Sequence, residues 1–153
     1  MIVGMERMTW IKPSFLWMMY RSGWATKPGQ ERVLAVELLR SGFEQALSEA
    51  CLSSFDRRFH PDQRSWSRDL KRSSVRVQWD PERSRTMTAL PYRSLQVGLS
   101  GPAVHQYIDE WIVGITDVTG QARAVHEGQG LLPVERPYPL PAEIGAAIGA
   151  DPL

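Results

Sequence analysis

Residues 8–27 read MTWIKPSFLWMMYRSGWATK, and the fold turns on how this stretch divides. Met8 to Lys12 alternates, with Thr9 and Ile11 on one face and Met8, Trp10 and Lys12 on the other, which is the period of a strand. Pro13 has a fixed φ and no amide to donate, which suits a first helical turn. The Ser14 hydroxyl stands where it can accept an orphan amide of that turn. Phe15 to Tyr20 is apolar on every side, which predicts a helix covered all round. Gly23 supplies a left-handed end, and Pro28-Gly29 makes the turn after it.

The same stretch carries the candidate site. Lys12, Ser14, Arg21 and Lys27 surround a helix start, where backbone amides and the dipole favour an anion, and Trp17 and Trp24 offer stacking walls. The competing reading is plain packing. A buried Trp contributes roughly 2–3 kcal/mol by area, which alone justifies the aromatics, and leaves Lys12 and Arg21 as solvated ends.

Outward from there, Glu31 to Leu39 is nearly continuously apolar, so it is expected as a central strand covered on both faces. Ser41 and Glu44 have the spacing of a capping box. The helix after it presents Phe43, Ala46, Leu47, Ala50 and Cys51 on one face, which makes Cys51 a small buried hydrophobe rather than a nucleophile. Asp62 to Arg72 reads as a surface helix with Trp66 and Leu70 inward, and His60 as a loop residue. It lies within Asp56 to Arg85, where nine cations outnumber five acids. Such a mixture with tryptophans can hold phosphates, although a solvated surface is the commoner meaning.

Val75 to Trp79 and Arg93 to Leu99 are strands by alternation, with Asp80 to Arg83 as a turn between. If they pair, Arg76, Gln78, Ser94 and Gln96 form one polar strip, either solvent-facing or the floor of a cleft; Gln78 and Gln96 therefore join the candidate ligand contacts. Ser100 is expected to cap a helix with Val104, Tyr107, Ile108 and Trp111 inward. Asp109 and Glu110 are adjacent, so on a helix they diverge by about 100° and fit a solvated surface better than acid–base work. Ile112 to Val118 reads as a strand with Gly114 at a bulge or a close approach, and Ala122 to Glu127 as a short helix. The segment LLPVERPYPLP, residues 131–141, has four prolines and is expected to lie extended, packed through Leu131, Leu132, Tyr138 and Leu140, before a short final helix from Pro141 to Ile148.

These motifs also carry a resemblance. ERMTWIKPSFLWMMYRSGWATKPGQERVLAVEL, VRVQWDPER, LPYRSLQVGLSGPAV, YIDEWIVGITDVT and LLPVERPYPLP together resemble the family catalogued as domain of unknown function 4291, over roughly residues 6–141. The resemblance implies no activity. Family members usually carry several tens of residues before the first motif, including two strands and a helix, so the chain is expected to be N-terminally truncated or its start misassigned.

At 153 residues the expectation is one domain, with residues 131–153 as a Pro-rich strap and helix. The fold class is α+β: a single mixed, mainly antiparallel sheet with packed helices. Composition is that of a soluble protein, with 42% hydrophobic and 23% charged residues, and the longest apolar run is far short of a membrane span. Cys51 is the lone cysteine, so no disulfide framework or cysteine metal cluster is expected, and the expected location is cytoplasmic. Charge is uneven: residues 1–100 carry 16 Lys+Arg against 10 Asp+Glu, and residues 101–153 carry 2 against 7. The favoured function is binding of an anionic nucleotide or nucleic acid, with a nucleotide or RNA as the expected partner, no metal and no evident cofactor. One alternative is an ADP-ribosyltransferase-like enzyme using NAD, by fold-level analogy alone. The other is a non-catalytic interaction domain.

Overall fold

The computed structural model describes residues 7–151. Thr9–Ile11 is β1, and Ser14 caps α1, Phe15–Ser22, by accepting the Trp17 amide at 3.1 Å. Gly23 ends the helix in the left-handed region at φ 58°, as its lack of a Cβ permits. Pro13 stands one residue before the cap rather than inside the first turn. The helix is buried through Trp17, Met19 and Ser22, whereas Tyr20 is 41% exposed, so it is not covered all round.

The α+β class holds, but the sheet is divided in two. β1, β5 (Ala89–Leu99), β4 (Val75–Arg83) and β3 (Cys51–Leu52) form a four-stranded sheet in that order, antiparallel except for β3 with β4. β2 (Leu34–Leu38) and β6 (Ile112–Asp117) form a separate antiparallel ribbon. The expected central strand over Glu31 to Leu39 is therefore a ribbon strand: Val36 and Leu38 pack on the core, while Leu34, Ala35 and Glu37 are exposed. An unbroken apolar run suggests two covered faces, yet only alternate residues are used here. Gly114 sits opposite Glu37 beside the ribbon's register shift.

Alternation gives the four-stranded sheet two unlike faces. Val75, Val77, Val97 and Leu99, all at most 1% exposed, point into the main core. Against them pack α2 (Arg40–Ser48), α4 (Pro102–Gln106), a π-helical turn (Tyr107–Trp111) and α6 (Ala142–Ile148). A second cluster, Met19, Ala25, Val33 and Ala122, joins α1 to α5 (Thr119–His126). α3 (Gln63–Arg72), capped by Asp62, lies beside β3, with Trp66 and Leu70 on its half-buried side as the spacing predicts.

Several local expectations are corrected. Asp80 to Arg83 continues β4: Pro81 is paired with Arg93 beside a register shift, where its missing amide is tolerated, and the chain turns instead over Ser84 to Thr88. Neither Ser41 nor Ser100 caps a helix; Leu39 and Gly101 hold those positions without side-chain bonds. The π-helical turn leaves Ile108 42% exposed while Tyr107 and Trp111 stay buried. Cys51 is only half-buried, in β3 rather than on α2. Residues 131–141, expected to lie extended, form neither helix nor strand; Tyr138 packs edge to face on Phe43 and Leu140 on the main core, whereas Leu131 is 87% exposed.

Candidate functional site

The polar face of the four-stranded sheet is the strip that alternation places there. Arg76 pairs with Gly98, Gln78 with Gln96, and Asp80 with Ser94. β1 extends this face with Trp10, whose ring lies against Gly98; a Cβ there would come within 2.9 Å of it. Asp80 is the hub. Its Oδ1 accepts from Gln78 Nε2 at 2.9 Å, and its Oδ2 from Gln96 Nε2 at 2.9 Å and Lys12 Nζ at 3.4 Å. Lys12 also donates to the Ser94 carbonyl at 3.1 Å and lies 4.4 Å from the Trp17 ring. The Lys12 side chain is 1% exposed and that of Asp80 17%. Burial lowers the Lys12 pKa below the usual lysine value, partly opposed by the Asp80 and Glu82 carboxylates.

At the start of α1 the positive end of the helix is met by the chain's own carboxylates. Ser14 Oγ donates to Glu82 Oε1 at 2.7 Å, and the same oxygen accepts the Arg83 amide at 2.9 Å. Glu135, from the extended segment 131–141, accepts the Phe15 amide at 2.7 Å. Arg83 lies with its guanidinium 3.9 Å over the Tyr20 ring and reaches the Met87 carbonyl at 3.4 Å. Its Nε is buried with no hydrogen-bond partner among the described residues, as are Arg76 Nε and the Ser94 hydroxyl.

Five of the eight residues singled out from sequence thus converge: Lys12, Ser14, Trp17, Gln78 and Gln96 form one network. Their roles differ from an anion shell, because Lys12 is spent on Asp80 and Ser94 and Ser14 on Trp17 and Glu82. Arg21, Trp24 and Lys27 belong to the other end of α1, a helix about 12 Å long. Arg21 and Lys27 are exposed. Trp24 follows Gly23 into the left-handed region and stacks on His126, with centroids 4.8 Å apart.

Sequence reading missed Asp80, Glu82, Arg83 and Glu135. The first three were hidden by taking a Pro-containing segment for a turn; continued alternation from Gln78 to Asp80 was the available signal. Glu135 bonds a residue 120 positions away, and no local pattern marks it. Elsewhere, burial and the Asp69 charge raise the Cys51 pKa, with Arg76 opposing, so the thiol is not activated. His60 packs with Phe55 and Trp66. Among the described residues no group of three His, Cys, Asp or Glu side chains is placed to hold a metal, and no helix is long and apolar enough to cross a membrane.

The class defined here is an α+β domain whose main sheet has one apolar, helix-covered face and one polar face clasped by an aromatic helix. The chain belongs to the family described as Domain of unknown function (DUF4291), which residues 3–138 match. Comparison with curated proteins and with solved structures returns no match.

Proposed function

We propose that the polar face of the four-stranded sheet binds a phosphate-bearing nucleotide, contacted by Arg83 and Ser94 beside the Trp17–Tyr20 wall. The observation that carries this reading is Arg83. Its guanidinium is fixed over Tyr20 and its Nε is buried without an acceptor. A buried donor left unmade costs about 1–3 kcal/mol or more, and a phosphate oxygen is the acceptor that arginine's planar fork matches. The unpartnered Ser94 hydroxyl lies on the same face, opposite Asp80. Trp17 and Tyr20 pack edge to face, with centroids 6.4 Å apart, as one aromatic surface next to it. In this reading Lys12, Ser14, Gln78 and Gln96 hold the floor rigid rather than touch the ligand. Arg21, Trp24 and Lys27 lie outside it.

The test is a thermal-shift series with mononucleotides and dinucleotides, NAD included. A ligand at a hundred times its dissociation constant adds about 2.7 kcal/mol, which raises the melting temperature of a domain this size by about 5–10 °C. Arg83→Gln abolishes the shift and Arg21→Gln preserves it. A shift that survives Arg83→Gln, or none with any nucleotide, refutes the proposal.

A further inference from the structure

Helix α3 has a face that the fold does not use. It runs QRSWSRDLKR and has no buried residue. At about 100° per residue, Arg64, Arg68 and Lys71 fall within one 60° arc with Arg72 just beside it, and Trp66 and Leu70 lie opposite. The opposite side is anchored: Trp66 Nε1 donates to the Leu52 carbonyl at 2.9 Å, and its ring packs near Phe55 and His60. The cations are therefore turned away from the sheet, and all four are exposed. Opposing charge on the helix is slight. Asp69 lies 3.5 Å from Arg68 Nε with both more than half exposed, a weak surface pair. Asp62 is engaged as the cap, accepting the Ser65 amide at 2.7 Å. A groove of about 600 Å³ follows the helix, lined by Arg64, Trp66, Arg68, Lys71 and Arg72 among others.

We infer that this face of α3 docks the phosphate backbone of a single-stranded nucleic acid. Lys71 and Arg72 suit the C-terminal end of the helix dipole, but Arg64 and Arg68 stand one turn apart and repel, and a polyanion is the partner that offsets that repulsion. A helix that lies on a membrane keeps an apolar side free for lipid; the apolar side of α3 is already committed to β3. A protein partner buries its anchors, arginine among them, in a desolvated pocket, whereas these four cations stand on an open, solvated helix surface. A basic groove with a tryptophan edge in its wall suits a single strand, where charge tracks the backbone and bases meet an aromatic. This surface lies beside β3, at the far end of the sheet from β1, and is independent of the nucleotide site.

The experiment is fluorescence anisotropy with a labelled 12-nucleotide oligo(U), titrated at several salt concentrations. If four cations neutralise four phosphates, the log–log salt slope is about −2.8, and affinity falls about 50-fold between 50 and 200 mM salt. Arg64→Gln with Arg68→Gln and Lys71→Gln brings the slope to about −0.7, while the urea midpoint moves little, because relief of repulsion between the solvated cations offsets the loss of Lys71 from the last turn. If the triple variant fails to fold, Arg68→Gln alone reduces the slope by about 0.7. Arg21→Gln with Lys27→Gln removes exposed charge elsewhere and leaves binding intact. Absent binding at 50 mM salt, an unchanged slope in the α3 variants, or anionic vesicles bound more tightly than oligo(U) would each overturn the inference. Failure of the nucleotide reading is separable, since Arg83→Gln affects the mononucleotide shift and not the oligo(U) slope.

Discussion

Lys12 looked from sequence like a ligand contact, and its surroundings make it a clasp instead. Its ammonium holds the Ser94 carbonyl, the Asp80 carboxylate and the Trp17 ring at once, with 1% of the side chain exposed. At 3.4 Å from Asp80, an effective dielectric of about 20 gives an attraction of about 5 kcal/mol before desolvation. Removing one member of a buried pair costs about 3–5 kcal/mol. Asp80 is 17% exposed and keeps both glutamine donors, so Lys12→Met belongs at the lower end, about 3 kcal/mol. Asp80→Asn leaves the more deeply buried charge uncompensated and costs about 4 kcal/mol.

Combining the two removes both charges, and the double variant is destabilised by less than the sum, with a coupling of about 2 kcal/mol. Urea unfolding measures this directly. With a slope of about 2 kcal/mol per molar, Lys12→Met lowers the midpoint by about 1.5 M. The pH dependence supplies a second readout. The folded pKa of Lys12 lies below its unfolded value of 10.5, so the folded state releases its proton first. The cost of burying the ammonium, which its partners only partly offset, is fully present below the folded value and is gone above 10.5. The stability of the parent relative to Lys12→Met should rise with pH across that window. Additive single variants, or Lys12→Met within 0.5 kcal/mol of the parent, would show that no such clasp exists.

Gly42→Ala should destabilise the chain by about 1–3 kcal/mol in the same urea assay, because a Cβ on Gly42 falls inside the buried Trp111 ring; a neutral result would mean α2 does not rest on that indole. In acid, calorimetry should show the melting temperature falling from pH 5 to pH 2. Hydrogen bonds from Arg58 hold Asp56 at about 2, and those from Ser65 and Thr119 depress Asp62 and Asp117, so the stability they add is present above 3.8 and lost as pH falls through each folded value, about 2 for Asp56. A flat profile over that range would refute the assignment.

The parts of the fold that were legible in sequence are those fixed by neighbouring residues. Ser14 and Gly23 end α1 through bonds spanning a few positions, and the alternation of Val75 to Trp79 and Leu95 to Leu99 gives both strands and the two faces of their sheet. Pairing partners are another matter. Glu31 to Leu39 has the same apolar content whether it joins the main sheet or a separate ribbon, and the choice is made by β6 about 80 residues later. The candidate site divides likewise. Residue types, spacing and helix position bring Lys12, Ser14, Trp17, Gln78 and Gln96 together, but their chemistry depends on Asp80, Glu82 and Glu135, which arrive from β4 and the extended segment. Without those carboxylates the cluster reads as an empty anion shell; with them it is largely self-neutralised.

That neutralisation bears on where a ligand can act. The start of α1 is tied to β4, β5 and the extended segment by partners 68 to 120 residues away, so it is over-determined. The other end is held differently. Gly23, Trp24 and Ala25 occupy three successive left-handed positions, at φ 58°, 58° and 62°. Trp24 and Ala25 have side chains, so each is disfavoured there by roughly 1–2 kcal/mol. Bonds from the Ala25, Thr26 and Lys27 amides to Ser22 offset this, together with burial of Ala25 and the stacking of Trp24 on His126. α1 thus joins a rigid end beside the polar strip to a strained end packed on α5. Arg83 bridges the two ends, since its amide is bonded to Glu82 beside Ser14 while its guanidinium lies over Tyr20, two residues from the end of the helix. A ligand bound there as proposed has to open the buried Nε of Arg83, so the strained end of α1 is the one that yields.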